Sequence, residues 1–269
     1  MTATRVSSFR ALILPKEHGS WSLAFEPVGL FLLVAPSAAG IALALAAGAG
    51  FFTRRPLKLA LTLPSSDPRR MPARTVAVVV ALLAIGALTA TAFLGSIRLL
   101  WPLLLAAPLG GLFLWFDLRN AMRETEAELA GSAAFALLPA AGATLAGWPA
   151  PAALALAAVA LARSVPTVLT VRSYLRRSKD QPFSATSAVV AASVAWAGLT
   201  LLALRGWIPP LAVAAGTVLW LRTAWLLSAF HPGWSARRVG ILEAVLGGVL
   251  LGVLTFAYHQ SLNQNGAIN

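Results

Sequence analysis

Glu17 and His18 stand side by side in Pro15-Lys16-Glu17-His18-Gly19-Ser20-Trp21, where the charged start of the chain meets its first long apolar stretch. Imidazole is the side chain whose ordinary titration lies near neutral pH, and a flanking carboxylate or ammonium group tunes it. The pair is therefore the candidate for catalytic proton handling. The competing reading is a hydrogen-bonded histidine at a membrane interface. Arginines supply the second chemistry. Arg54 and Arg55 close an apolar stretch in Phe51-Phe52-Thr53-Arg54-Arg55-Pro56-Leu57-Lys58, and Arg172 opens a cluster with Arg176, Arg177 and Lys179. Guanidinium groups bind phosphate bidentately, while basic patches beside a membrane also hold anionic lipid headgroups without selecting among them.

Arg163 lies inside an apolar stretch, where an ionisable group is expensive and marks a site or a pair. At 100° per residue, Thr167, Thr170 and Tyr174 fall within about 40° of its direction, a polar stripe along one helix face. Pro166 lies within that stripe and opposes the carbonyl of Ala162. One reading makes the stripe a cavity wall with Arg163, Thr167 and Thr170 binding an anionic substrate. The other pairs Arg163 with Glu26 or Glu243. Arg222 and Glu243 flank one connection at similar depth and are expected to form a structural ion pair.

Asp117, Asn120, Glu124 and Glu128 would share a face if their stretch were helical. Asp117, Glu124 and Glu128 are then weak candidates for a hard cation such as magnesium, although acids at a helix start also suit its dipole. Cysteine is absent, so thiolate metal sites and Cys nucleophiles are excluded. His-x-x-x-His, Gly-x-Ser-x-Gly and phosphate-loop patterns are absent too. No cofactor is expected, and magnesium is only weakly supported.

Membrane helices must position these groups. Hydrophobic residues make up 58% of the 269 and charged residues 11%, with mean hydropathy +0.78, the composition of a polytopic membrane protein. With roughly 20 apolar residues per crossing, about nine spans are predicted: 21–36, 37–53, 75–97, 99–117, 129–147, 151–171, 183–204, 207–229 and 239–259. The reading is one all-α helical membrane domain over 1–269. Residues 1–20 form a cytoplasmic segment, and 54–74, 117–128, 172–182 and 230–238 are cytoplasmic loops. A cleavable leader is not expected, since the opening segment carries Glu17 and runs into long apolar sequence. Of the 21 Lys and Arg residues, 17 fall on one side of this topology and only Arg98 and Arg205 on the other. The positive-inside rule then sets the N-terminus in the cytoplasm and the C-terminus outside. The net charge of +12 is thus explained by topology, and membrane lipid, not nucleic acid, is the expected partner.

The Pro15–Trp21 motif resembles the N-terminal signature of the YwiC-like family of bacterial membrane proteins. Arg54-Arg55-Pro56-Leu57, Glu128-Leu129-Ala130-Gly131, Arg163-Ser164-Val165-Pro166 and Arg238-Val239-Gly240-Ile241 are further matches. The resemblance implies a multi-pass protein of the bacterial cytoplasmic membrane. More distantly, the topology is similar to intramembrane prenyltransferases of the UbiA type, which implies a UbiA-like bundle with a cytoplasm-facing cavity. The paired Asp-rich signatures of that family are missing: the loop after the second span has only Asp67 and that after the sixth only Asp180. The leading expectation is an anionic amphiphile, a phosphorylated isoprenoid or lipid, held by Arg54, Arg55, Arg163 and Arg172, with Glu17 and His18 moving protons. The alternatives are a small ion or anion transporter using Arg163, Arg222 and Glu243, and a noncatalytic assembly factor.

Overall fold

The computed structural model describes residue 12 and residues 19–265. Glu17 and His18 lie outside the described residues. Helix dominates: α1 (Gly19–Val34), α2 (Ala38–Thr62), α3 (Arg70–Leu94), α4 (Leu103–Leu118), α5 (Thr125–Ala136), α6 (Leu138–Leu145), α7 (Ala150–Arg177), α8 (Thr186–Leu204), α9 (Pro210–Leu227) and α10 (Ala236–Asn265), with a short 3-10 turn at Ile97–Leu100. No strand occurs among the described residues. Because α6 continues α5 across Leu137, the described residues form nine rods in the places predicted from hydropathy. Among the described residues six stretches are long and apolar enough to cross a membrane: Arg70–Leu94, Thr125–Leu145, Ala150–Arg177, Thr186–Leu204, Pro210–Leu227 and Ala236–Asn263. The protein is a polytopic helical membrane protein.

Helix ends differ from the expected loops. α2 runs on through Arg54, Arg55, Pro56 and Lys58 to Thr62, and α7 runs through Arg172 to Arg177. The connections shrink to 63–69, 119–124, 178–185 and 228–235. Hydropathy detects where the apolar slab stops, whereas a helix of good formers such as Leu, Lys and Arg continues past it. The 119–124 connection is not helical. Asn120 takes φ +60°, the left-handed conformation that commonly ends a helix, so the single helical face expected for Asp117, Asn120, Glu124 and Glu128 does not form.

α7 sits at the centre, packed against α1, α5, α6, α8 and α9. Its first half is alanine-rich and buried, including Ala152, Ala153, Ala155, Ala157 and Ala160. Small side chains let membrane helices approach closely, which is where packing energy comes from without a hydrophobic drive between them. At Gly142 of α6 the approach is so close that a Cβ there would collide with the buried Phe31 ring of α1. Thr144 donates to the Leu99 carbonyl at 2.7 Å, and a His259 ring nitrogen meets the Leu33 carbonyl at 2.9 Å. Those contacts tie one end of the bundle. The other end gathers the basic residues. Arg177 donates to the carbonyls of Leu227 and Ser228 at 3.0 and 2.8 Å, and Arg172 to that of Arg123 at 2.6 Å.

Candidate functional site

Four helices bring together a buried quartet of charges: Glu26 from α1, Arg163 from α7, Arg222 from α9 and Glu243 from α10. Arg163 Nη1 donates to Glu243 Oε2 at 2.9 Å and to the Thr167 hydroxyl at 2.5 Å, and Nη2 donates to the Glu243 carbonyl oxygen at 2.9 Å. Its other edge meets Glu26, with Nε 3.2 Å from Oε2 and Nη2 3.5 Å from Oε1. Arg222 Nη1 lies 3.4 Å from Glu243 Oε1, and Nη2 donates to Thr167 at 2.8 Å. Thr167 is thus shared by both guanidinium groups because the four-residue spacing puts it one turn above Arg163 on the same face.

Desolvating one charge in an interior costs several kcal/mol, so such groups persist when countercharges and hydrogen bonds surround them. With both carboxylates ionised, two arginines and two glutamates sum to zero. Of the two readings of the stripe, the contacts form the pairing of Arg163 with Glu26 and Glu243, and the stripe continues from it as a polar seam. Thr170 donates to the Pro166 carbonyl at 2.7 Å and lies 3.1 Å from the Thr223 hydroxyl. Tyr174 donates to the Pro232 carbonyl and accepts from the Trp234 amide at 2.8 Å. The seam still contains unsatisfied atoms: Arg222 Nε and Nη1, Arg163 Nε and Glu243 Oε1 are buried without hydrogen-bonded protein partners. A cavity of about 40 Å³ borders Glu26, Arg163 and Ser164 and is otherwise walled by apolar side chains such as Leu30, Val159 and Leu219.

Arg54 and Arg172 have other carboxylates. Asp117, at the end of α4 and 1% exposed, takes Arg54 Nε at 3.1 Å and Lys58 Nζ at 2.9 Å. The i, i+4 spacing of Arg54 and Lys58 on α2 makes that joint grip available. The Arg54 guanidinium also lies over the Phe113 ring, 5.1 Å from its centroid, and Arg55 follows it on the same helix. Arg172 Nη1 is 3.1 Å from Glu128 Oε2. The three arginines expected to converge on one anion therefore sit on three separate sets of carboxylates. The weak metal candidates are divided likewise: Asp117 and Glu128 each bind arginine, and Glu124 caps α5 without a side-chain hydrogen bond. No group of three or more His, Asp or Glu side chains with ligand geometry occurs among the described residues.

At the basic end lies a roomier pocket of about 350 Å³. Arg172, Ser173 and Arg176 come from the last turns of α7, Thr125 from the start of α5, and Ser184 and Ser187 from the entrance to α8. Two guanidinium groups, four hydroxyls and the start of two helices, whose first amides have no partner within their own helix, form a donor-rich surface. Sequence reading named Arg172 in a basic cluster with Arg176, Arg177 and Lys179 but missed the hydroxyls. The signal was present, since 169, 172, 173 and 176 fall on one helix face.

No curated protein and no solved structure matches the chain. Residues 14–142 match the family model described as YwiC-like protein, a stretch that includes the Pro15–Trp21 motif, Glu26, Arg54, Arg55, Asp117 and Glu128, and over that stretch the chain is similar to the YwiC-like family.

Proposed function

We propose that this protein works in the bacterial cytoplasmic membrane, basic end inward, and binds the phosphorylated headgroup of an anionic amphiphile, an isoprenoid or lipid, at that end. The observation that carries the reading is the 350 Å³ pocket beside Arg172 and Arg176. Planar guanidinium forks and hydroxyl donors suit phosphate oxygens, and Leu169 and Phe183 give the same pocket an apolar wall. Its position on the basic end fits the positive-inside distribution of Lys and Arg. Arg54 and Arg55 add positive charge on α2, and Glu17 with His18 would handle protons if transfer chemistry follows binding. Magnesium-dependent prenyl transfer is the less favoured version, because Asp67 is engaged by Arg69 at 2.8 Å and Asp180 is the only other acid in the loops corresponding to the Asp-rich motifs.

Native mass spectrometry of purified wild type and of Arg172→Gln/Arg176→Gln tests this. Retention of a phosphorylated amphiphile by wild type and its loss from a folded double variant is the expected result. The same general phospholipids on both proteins would remove the headgroup site. A second reading, an ion or anion transporter, is favoured by one different observation: Arg163, Arg222 and Glu243 join Glu26 in the buried quartet beside a small cavity.

A further inference from the structure

We propose that Glu26 and Arg163 form a second site, separate from the headgroup pocket, at which a halide-sized monovalent anion binds to Arg163 together with one proton on Glu26. Three observations converge on it. Of its two carboxylate partners, Arg163 holds Glu26 the less closely. Its contacts to Arg163 are 3.2 and 3.5 Å, against 2.9 Å for each Arg163 bond to Glu243. It is also the more exposed carboxylate, 17% against 9%. The cavity borders that loose edge. At 40 Å³ it has space for a few particles of water size, each taking about 10–15 Å³, and none for a phosphorylated headgroup. Finally, charge balance couples the two ligands. Protonating Glu26 alone would leave the quartet at +1 inside the bilayer, and an uncompensated buried charge is strongly unfavourable. A monovalent anion taking the place of Glu26 on Arg163 Nε and Nη2 restores zero.

The exchange forms one O–H bond on Glu26 and breaks no covalent bond. The carboxylate surrenders its two guanidinium contacts, the anion accepts them, and Glu243 keeps Arg163 and Arg222 in place. Among the described residues the charged groups around Glu26 are few. Arg163 faces it from α7, and Glu243 approaches from α10 behind that arginine with Arg222 of α9. On α2, Arg54 and Lys58 are engaged by Asp117 and Arg55 lies alongside; on α5, Glu128 is engaged by Arg172, and Glu126 is in the first turn. α6 carries no titratable group. Ser22 of α1 donates to Glu26 and can stay bonded to either protonation state.

The test is thermal unfolding of the purified protein against bromide, with gluconate holding ionic strength, from pH 5 to 8. Bromide should stabilise wild type, and its affinity should rise about tenfold for each pH unit lowered while Glu26 is ionised in the anion-free protein. Glu26→Gln should bind bromide with no such slope. Arg176→Gln, which alters the headgroup pocket, should keep it. Bromide mixed with wild type in weakly buffered solution should also take up one proton per anion bound, a readout that needs no variant to fold. No stabilisation over gluconate, no proton uptake, a slope that survives in Glu26→Gln, or one that vanishes in Arg176→Gln would each overturn the assignment. Failure of the headgroup experiment leaves this one intact, because the two use different residues and ligands.

Discussion

Glu243→Gln is the most informative substitution, because it removes a charge while leaving shape almost unchanged. Glu243 touches both arginines, at 2.9 Å and 3.4 Å. Without its charge the quartet holds two guanidinium groups against Glu26 alone, and Arg222 is left with the Thr167 hydroxyl at 2.8 Å and no carboxylate among the ion pairs of the described residues. Breaking one partner out of a buried pair costs about 3–5 kcal/mol. For a chain of this length that converts to a melting shift of about 6–20 °C, at about 2–4 °C per kcal/mol. Glu26→Gln should cost less, because Arg163 keeps both of its 2.9 Å bonds to Glu243. The double variant Glu243→Gln/Arg222→Gln returns the network to neutrality and should regain more than half of the loss. Unfolding of purified protein in detergent, followed by circular dichroism, gives all three values on one scale. A loss below about 1 kcal/mol for Glu243→Gln, far under the range for a broken buried pair, would refute the reasoning. So would a double variant no more stable than the single, or a ranking with Glu26→Gln first.

Two further outcomes follow from the geometry. Gly247 of α10 faces Glu26, and a Cβ there would overlap its carboxylate; Gly247→Ala should push Glu26 off Arg163 and destabilise the protein by about 1–3 kcal/mol, an amount set by how far the core can shift, and an unchanged unfolding midpoint would contradict it. In the 63–69 connection, hydrogen bonds from Arg69 hold Asp67 at about 2, below its ordinary 3.8. A depressed carboxylate contributes stability that is present above the unfolded value and lost as pH falls through the folded one, so the pair should survive to pH 3 and open below about 2. Carboxyl carbon NMR of Asp67, with Arg69→Gln returning it to the ordinary range, checks the sign.

The positions of the rods were legible because about 20 apolar residues per crossing is a length rule set by the bilayer. Tertiary pairing was less legible. Arg163 was recognisable as an anomaly from its apolar neighbours alone, and the hairpin between α9 and α10 made Arg222 and Glu243 natural companions. Glu26 was named only as an alternative to Glu243 as the partner of Arg163; that both hold the arginine at once required knowing that α1 packs against both α7 and α10, which no local pattern states. Asp117 illustrates the same limit. Arg119 and Arg123 are its neighbours in sequence, yet its cations come from Arg54 and Lys58, because Asn120 turns the chain away after α4. The Arg172 pocket was half legible: one wall follows helical spacing, while the other is built by α5 and the segment leading into α8.

The neutrality of the quartet has an electrical consequence. A single charge moved through a membrane potential of 100 mV exchanges about 2.3 kcal/mol with the field. Glu26, Arg163, Arg222 and Glu243 together carry no net charge, and none after a proton and a monovalent anion have been taken up as a pair. Displacing this cluster along the membrane normal as a unit does no net work against the voltage. Conformational changes that carry these four side chains together are therefore insensitive to the membrane voltage, and with the proposed proton and anion bound they remain so.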